Sequence, residues 1–174
     1  MRAIPEQFWA QEEIRPLVDN LVGYLSQTPA RFRTGAAASD AIAFAESLST
    51  KLPRDQAAAV LERLKKLDVM VIAIGTVPHR MIYDKELIAV QAGKPVEFRF
   101  SNTDNMPHNF AVVQPGSPEE IGMLAEATAR DADAISRQYI PKSNKVLVAS
   151  RLLQTGESQA IVLEAPTAPG IYPY

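Results

Sequence analysis

Residues 102–110 read Asn102-Thr103-Asp104-Asn105-Met106-Pro107-His108-Asn109-Phe110. This stretch places His108 directly before an apolar segment and beside Asn109, whose amide is suited to brace an imidazole. The segment before it, Pro95–Ser101, alternates apolar and polar side chains, which predicts a half-buried antiparallel strand. The side chains expected to face the core are Val96, Phe98 and Phe100, and those expected to face solvent are Glu97, Arg99 and Ser101. The two segments together predict a strand that leads into a loop, with His108 at the end of the loop and directly before the next apolar segment.

The sequence after Leu67 is rich in β-branched residues and short turn signals, which predicts a β-rich part over residues 68–174. The further strands expected there are residues 69–74, 87–90, 109–113, 146–149 and 159–164. A helix is expected at residues 117–126, where Ser117 is suited to cap the helix and Pro118 to occupy its first position. Short strands of this kind predict a β-sandwich with Greek-key connections and one inserted helix.

The sequence from Glu6 to about Leu67 has apolar residues at helical spacing, so residues 1–67 are expected to form a helical segment. Two apolar stripes are expected, Leu17, Leu21 and Leu25 in one and Ala57, Leu61 and Leu64 in the other. We expect three helices, separated near residues 28–35 and at Leu52-Pro53. Ser39-Asp40 is suited to cap a helix over residues 41–49, and Pro53 to begin the last helix.

The composition argues against several classes of function. With 174 residues, a formal net charge of −2 and scattered lysines and arginines, the chain offers no basic face for nucleic acid. No apolar run in the sequence approaches the ~18 residues of a membrane span. The sequence also lacks a glycine-rich phosphate loop, a nucleophile elbow and a zinc-protease helix, which argues against a hydrolase or a nucleotide enzyme. The carboxylates expected at the solvated surface are Glu119, Glu120, Asp131 and Asp133.

Several short sequence motifs of the β-rich part follow one another in an order that indicates a protein family. The motif Asn102-x-Asp104-x-Met106-Pro107-His108-Asn109 comes after the strand Pro95–Ser101 and before a helical flap with Gly122. The later phrases are Tyr139-Ile140-Pro141, Lys145-Val146-Leu147-Val148-Ala149-Ser150, Gly156-Glu157-Ser158, Ala165-Pro166 and Pro169-Gly170-Ile171-Tyr172-Pro173-Tyr174. In this order and spacing the chain resembles the cupredoxins, and among them the azurin and auracyanin group, over roughly residues 69–174. The Asp-x-Met-Pro-His-Asn motif behind a helical segment is also similar to the copper domains of large multidomain dehydrogenases of planctomycete type.

The resemblance implies a blue-copper domain that transfers single electrons and is not itself an enzyme. It implies His108 as the first copper ligand and Asn109 as a neighbour that hydrogen-bonds to the loop carrying a cysteine ligand. In this family a Cys-Thr-Phe-Pro-Gly-His segment and a methionine follow the tyrosine-containing strand, whereas this chain contains no cysteine. We therefore expect a fragment that lacks the ligand loop and the last strand of the sandwich, with copper bound in the intact parent.

The resemblance also implies a setting for the domain. Its partner is expected to be a redox protein, or a haem domain of the same parent chain. The start of the sequence lacks the apolar core of a signal peptide. We therefore expect either a cytosolic chain or, as the resemblance implies, a periplasmic or other extracytoplasmic part of a longer exported protein.

Two alternative functions are also compatible with the sequence. One is a copper-free cupredoxin-fold module for binding or assembly, with the helical segment as its docking surface. A Cys-x-x-x-x-His segment encoded after Tyr174 would separate the two interpretations. The other is a cuprous ion held by Met106 and His108, because thioether and imidazole suit that ion, although Met106 equally suits an apolar rim. The second histidine, His79, lies in an expected turn and is interpreted as a surface residue.

Overall fold

The computed structural model describes residues 11–174. Two compact units are distinguished, one that ends at Val69 and one that covers Met70–Tyr174. Within the described residues the first unit consists of α1 (Gln11–Gln27), α2 (Ala30–Arg33), α3 (Ala36–Ser49) and α4 (Arg54–Lys65). The three long helices occur where the sequence predicted them, and the single turn of α2 lies within the first expected break. The part of the expected helical segment before Gln11 lies outside the described residues.

The helical unit has one apolar core. Its buried residues are Ile14, Val18, Val22, Leu25, Ala45, Leu48, Val60, Leu64 and Leu67. The members on α1 recur every three or four residues, so they share one face of the helix. The predicted stripes were partly wrong, because Leu17 and Leu21 only flank this core and Leu61 is exposed on α4.

The first residue of one helix agrees with the prediction from the sequence, and that of another helix differs from it. Helix α4 begins at Arg54, directly after Pro53, as predicted. Helix α3 begins at Ala36, so Ser39-Asp40 lies inside it and the predicted cap there was wrong. Alanine has the highest helix propensity, so the alanine run at residues 36–38 extends α3 back to Gly35. Among residues 11–174 no helix combines the length and the apolar character needed to cross a membrane.

The second unit is rich in strands. Its elements within the described residues are β1 (Met70–Gly75), β2 (Pro95–Ser101), β3 (Ala111–Val113), α5 (Pro118–Thr128), β4 (Val146–Ala149) and β5 (Ser158–Glu164). Strand β2 lies at the centre of a three-stranded sheet, parallel to β1 and antiparallel to β5. Strands β3 and β4 form a second, antiparallel sheet.

The core of this unit contains residues of both sheets, as in a β-sandwich. Its buried members are Ile74, Val96, Phe98, Phe100, Phe110, Val112, Leu153, Ile161 and Ala165. Phe110 is central, since its ring centroid lies 5.2 Å from that of Phe98 and 5.7 Å from those of Tyr83, Phe100 and Tyr174. This aromatic cluster lies next to the histidine that the sequence singled out, because Phe110 follows His108 by two residues.

Three details of the strands differ from the sequence prediction. Glu97 is 3% exposed instead of facing solvent, and its carboxylate accepts a hydrogen bond from Arg99 Nε at 2.7 Å. The prediction of an antiparallel strand at β2 holds only on the side of β5, because β1 runs parallel to it. Residues 87–90 form no strand, so that prediction was wrong. Residues 87–90 instead line a groove of about 690 Å³, together with Ile171. The side chains of Leu87 and Ile171 are 82% and 81% exposed.

Helix α5 begins at Pro118, as predicted, but Ser117 does not cap it with its side chain. The Ser117 hydroxyl instead donates to the Gln114 carbonyl at 2.6 Å. Surface ion pairs take up three of the carboxylates predicted at the surface, namely Glu120 with Lys145, and Asp131 and Asp133 with Arg137.

Candidate metal centre

The backbone around His108 is fixed by pairing with the segment that contains Leu153. The His108 N–H donates to the Leu153 carbonyl at 3.1 Å, and the Leu153 N–H donates to the His108 carbonyl at 2.7 Å. Two residues further, the Phe110 N–H donates to Ser150 Oγ at 2.8 Å. A strand was predicted at residues 109–113, and the regular strand β3 covers only the end of that range. An isolated β-bridge between His108 and Leu153 continues the pairing toward the start of the range.

The imidazole of His108 is held by a buried carboxylate. Asp104 Oδ2 lies 2.9 Å from His108 Nε2, and the two side chains are 2% and 10% exposed. Asp104 Oδ1 accepts hydrogen bonds from the backbone N–H groups of His79 at 3.0 Å and Asn105 at 2.7 Å. The bond from His79 contributes most and the bond from His108 next, and together they lower the pKa of Asp104 to about 2. Asp104 is therefore ionised at neutral pH.

This carboxylate determines which nitrogen of the imidazole is available. An ionised carboxylate can only accept hydrogen bonds, so Nε2 donates to Asp104, and in the neutral form of the ring Nδ1 carries the lone pair. Within residues 11–174, the hydrogen bonding of the His108 ring is to Asp104 through Nε2. Nδ1 is therefore the ring atom suited to bind a ligand, and Asp104 is the kind of partner that orients a metal-binding histidine.

Asn102, which is completely buried, fixes the loop between β2 and His108. Its Nδ2 donates to the Met106 carbonyl at 2.8 Å and to the Leu153 carbonyl at 2.9 Å. Its Oδ1 accepts from the Asp104 N–H at 2.9 Å and from Thr76 Oγ1 at 3.1 Å. All four hydrogen-bonding positions of this amide are used. The sequence motif contained Asn102, but its spacing gave no sign of this role.

Asn109 joins the candidate centre to a turn with unusual backbone angles. Its Nδ2 donates to the Gln138 carbonyl at 2.9 Å. Gln138 has φ 55° and Tyr139 φ 61°, both in the left-handed region that residues with side chains seldom adopt. Gln138 is held a second time, because its Oε1 accepts from the Leu152 N–H at 2.8 Å. The role of Asn109 toward a cysteine loop stays a prediction, since its described partner is this turn.

A cavity of about 520 Å³ lies beside His108. The residues that line it are Met81, Ile82, Tyr83, Pro107, His108, Asn109, Tyr139 and Leu152. The Tyr83 hydroxyl donates to the Asn109 carbonyl at 2.8 Å, and burial raises the pKa of Tyr83 to about 12, so this phenol stays neutral. The sequence did not assign Met81, Tyr83 or Tyr139 to the site, because they come from separate segments that only the folded chain brings together.

The described residues do not supply a complete donor set for blue copper. Such a site needs two imidazoles, a thiolate and a weak axial thioether. The chain has no cysteine, and residues 11–174 contain no group of three or more histidine, cysteine or acidic side chains that could hold a metal. His79 is exposed, as predicted, and reaches Asp104 through its backbone N–H. Met106 is 46% exposed, and its carbonyl accepts the bond from Asn102.

Comparison with solved structures identifies the fold that the chain contains. The chain is similar to auracyanin A, a "blue" copper protein from the green thermophilic photosynthetic bacterium Chloroflexus aurantiacus. The TM-score is 0.53 with 27% identity, over 60% of this chain and 84% of that protein. It is also similar to auracyanin B, with a TM-score of 0.51 and 22% identity over 59% of this chain and 73% of that protein. No protein-family model matches the sequence, and no curated protein matches it significantly.

These similarities agree with the observed sandwich and its inserted helix. The chain therefore contains a cupredoxin-like fold with an inserted helix. The resemblance to the auracyanin group and the predicted cupredoxin-like fold with an inserted helix are confirmed, and the missing last strand stays a prediction.

Proposed function

We propose that the β-rich unit is an electron-transfer domain of the blue-copper type, in which His108 Nδ1 is one copper ligand and Asn109 supports the site. The observation that carries this proposal is the imidazole held by Asp104, which occupies Nε2 at 2.9 Å and leaves the lone pair on Nδ1. The likeness to auracyanin A, itself described as a blue copper protein, supports the same function.

We assign the remaining ligands to residues that follow Tyr174 in an intact parent chain. The direction of the final segment supports this assignment. The Pro173 carbonyl accepts a hydrogen bond from the Val113 N–H at 2.9 Å, and the Tyr174 ring lies 5.7 Å from the Phe110 ring. These contacts place the last two residues beside β3 and Phe110. Since Phe110 follows His108 by two residues, we propose that the residues after Tyr174 continue toward the imidazole.

Bound copper would supply a one-electron couple that needs little change in geometry. The residues of this chain would contribute the environment of that couple. Asp104 orients the imidazole, and Asn102 holds the loop that carries it. Ile82 and Leu152 line the cavity with apolar surface, which lowers its polarity.

The proposal is tested by adding Cu(II) to two versions of the protein. One is the chain of 174 residues, and the other is the same chain extended by its natural coding sequence through a Cys-x-x-x-x-His segment. We expect the intense visible absorption of a thiolate bound to copper only in the extended version. His108→Gln in the extended version should abolish this absorption, because one imidazole ligand is lost.

The matched control is His79→Gln, which removes the other histidine of the chain. His79 is exposed and contributes only its backbone N–H to the site, so this variant should keep the full absorption. Equal loss of absorption in both variants would contradict the assignment of His108.

One alternative function has an observation in its favour, namely the incomplete donor set of the described residues. In this alternative the chain is a copper-free cupredoxin-fold module for binding or assembly, with the helical unit as its docking surface. A natural stop codon directly after Tyr174, together with the absence of visible absorption on copper addition, would favour it.

We extend the main proposal to the setting of the domain. An electron-transfer domain needs a partner, so we propose a redox protein or a haem domain of the same parent chain. A parent of the multidomain dehydrogenase type would be exported, which agrees with a periplasmic or other extracytoplasmic location. Antibody detection of the parent in a periplasmic rather than a cytosolic fraction tests this location.

A further inference from the structure

We propose that Met81 and His108 together bind monovalent copper, in a site that needs no thiolate. This inference does not rest on the proposed function, because it uses only side chains of the chain of 174 residues. The ligand it assigns is Cu(I), bound by the Met81 thioether and by Nδ1 of the imidazole.

The two side chains line the same cavity beside the candidate centre. One carboxylate holds both of the segments that carry them. Asp104 Oδ2 contacts His108 Nε2 at 2.9 Å, and Asp104 Oδ1 accepts from the His79 N–H at 3.0 Å, two residues before Met81. This shared anchor holds the turn that carries Met81 to the loop that carries His108.

The turn that carries Met81 is also closed by its own backbone. The Val77 N–H donates to the Ile82 carbonyl at 3.0 Å, and the Arg80 N–H donates to the Val77 carbonyl at 3.1 Å. The Tyr83 hydroxyl, directly after the turn, donates to the Asn109 carbonyl at 2.8 Å. Met81 is thus fixed at its backbone, while its exposed, unbranched side chain keeps the freedom to adjust to a metal ion.

The chemistry of the cavity suits a soft monovalent cation. Thioether and imidazole are ligands that Cu(I) accepts, whereas magnesium and calcium prefer carboxylate and carbonyl oxygen. None of the residues that line the cavity, all of which lie in the described part of the chain, carries a carboxylate or a positive side-chain group such as lysine or arginine.

Met81 is a better candidate than Met106, which the sequence alone suggested as the partner of His108. Met106 does not belong to the residues that line this cavity, and its contact with the loop is made by its carbonyl. Met106 therefore provides a matched control, since it is an exposed methionine two residues from the same histidine.

The test is a titration of the chain of 174 residues with Cu(I), kept reduced by ascorbate without oxygen, against a chromophoric Cu(I) chelator. We expect one Cu(I) per chain. Met81→Leu should lower the affinity by about tenfold or more, since loss of a direct ligand should weaken binding at least as much as loss of an outer partner. His108→Gln should abolish competitive binding, and Met106→Leu and His79→Gln should leave the affinity unchanged.

A second readout identifies the donor atoms. X-ray absorption of the Cu(I) form should show one sulfur neighbour in the original chain and in Met106→Leu, and none in Met81→Leu. Circular dichroism verifies that each variant is folded, which is expected because Leu replaces an exposed Met. The inference is overturned if Met81→Leu binds Cu(I) with unchanged affinity or retains the sulfur neighbour. Its failure is distinguishable from failure of the proposed function, which is judged by the blue colour of the extended chain.

Discussion

At the scale of single residues, Asp104 is the key to the candidate centre. Its two oxygens hold the His108 imidazole and the backbone of the turn at His79. The sequence predicted His108 and Asn109 as site residues through the motif, and it contained Asp104 without giving its role. Outside a helix, an aspartate four residues before a histidine contacts it when the loop folds back, and the local sequence pattern of a loop does not specify that geometry.

The lowered pKa of Asp104 predicts a pH dependence of stability. The ordinary value is 3.8 and the folded value about 2, so the ionised carboxylate stabilises the fold. Because the folded pKa is the lower one, this contribution is complete above about pH 5 and is lost as the pH falls toward about 2. Asp104→Asn should be less stable than the original chain at neutral pH, and the difference should shrink on acidification.

Thermal unfolding at a series of pH values measures this difference. Glu126→Gln is the control, because Glu126 is an exposed carboxylate on α5 and its removal should leave the profile of the original chain nearly unchanged. A constant gap between Asp104→Asn and the original chain down to pH ~2 would contradict the assigned role of the carboxylate.

At the scale of elements, the sequence predicted most strands and helices but not all of their surroundings. Pro95–Ser101 was found because its alternation is strong, and α5 because Pro118 marks its start. The prediction of a strand at residues 87–90 was wrong for a physical reason. A strand needs a neighbour for its backbone hydrogen bonds, and within residues 11–174 no strand pairs with that segment. Composition alone cannot show whether such a neighbour is present.

The loop after β2 provides a prediction at this scale. Asn102→Ala removes an amide with four hydrogen bonds, two that join it to Leu153 and Thr76 and two that fix Met106 and Asp104 within the loop. We expect a loss of about 2–4 kcal/mol in the free energy of unfolding of the β-rich unit. This loss is measured by urea unfolding, with the hydrogen exchange of the β2 amides as the readout.

Asn105→Ala is the matched control for this loop, because Asn105 is exposed and contributes its backbone N–H to Asp104. Its effect should stay within about 0.5 kcal/mol. Equal destabilisation by the two substitutions would mean that the buried amide of Asn102 has no special part in holding the loop.

At the scale of the whole molecule, the sequence separated a helical part from a β-rich part and found the fold of the latter through the order of its motifs. The exposed apolar side chains around the groove were not predicted, since Leu87 was assigned to a strand and Ile171 only to a motif. Large exposed apolar areas favour association. We therefore predict that the chain self-associates at high concentration and that Leu87→Glu weakens this association.

Sedimentation at increasing protein concentration provides the measurement. Met123→Glu is the control, because Met123 is an exposed apolar residue on α5, which does not line the groove. The Leu87→Glu variant should remain monomeric at concentrations where the Met123→Glu variant and the original chain associate. Identical behaviour of all three chains would exclude the groove as the contact surface.

The anchoring of two loops by one carboxylate has a consequence for how any ligand would bind at His108. Because Asp104 fixes the ring orientation and the proton position during folding, little conformational entropy remains to be lost when a ligand arrives. Because of this preorganisation, the affinity of a ligand for His108 depends mainly on the chemistry of the donor atoms and little on rearrangement of the protein. The imidazole is thus set in its binding geometry before binding occurs.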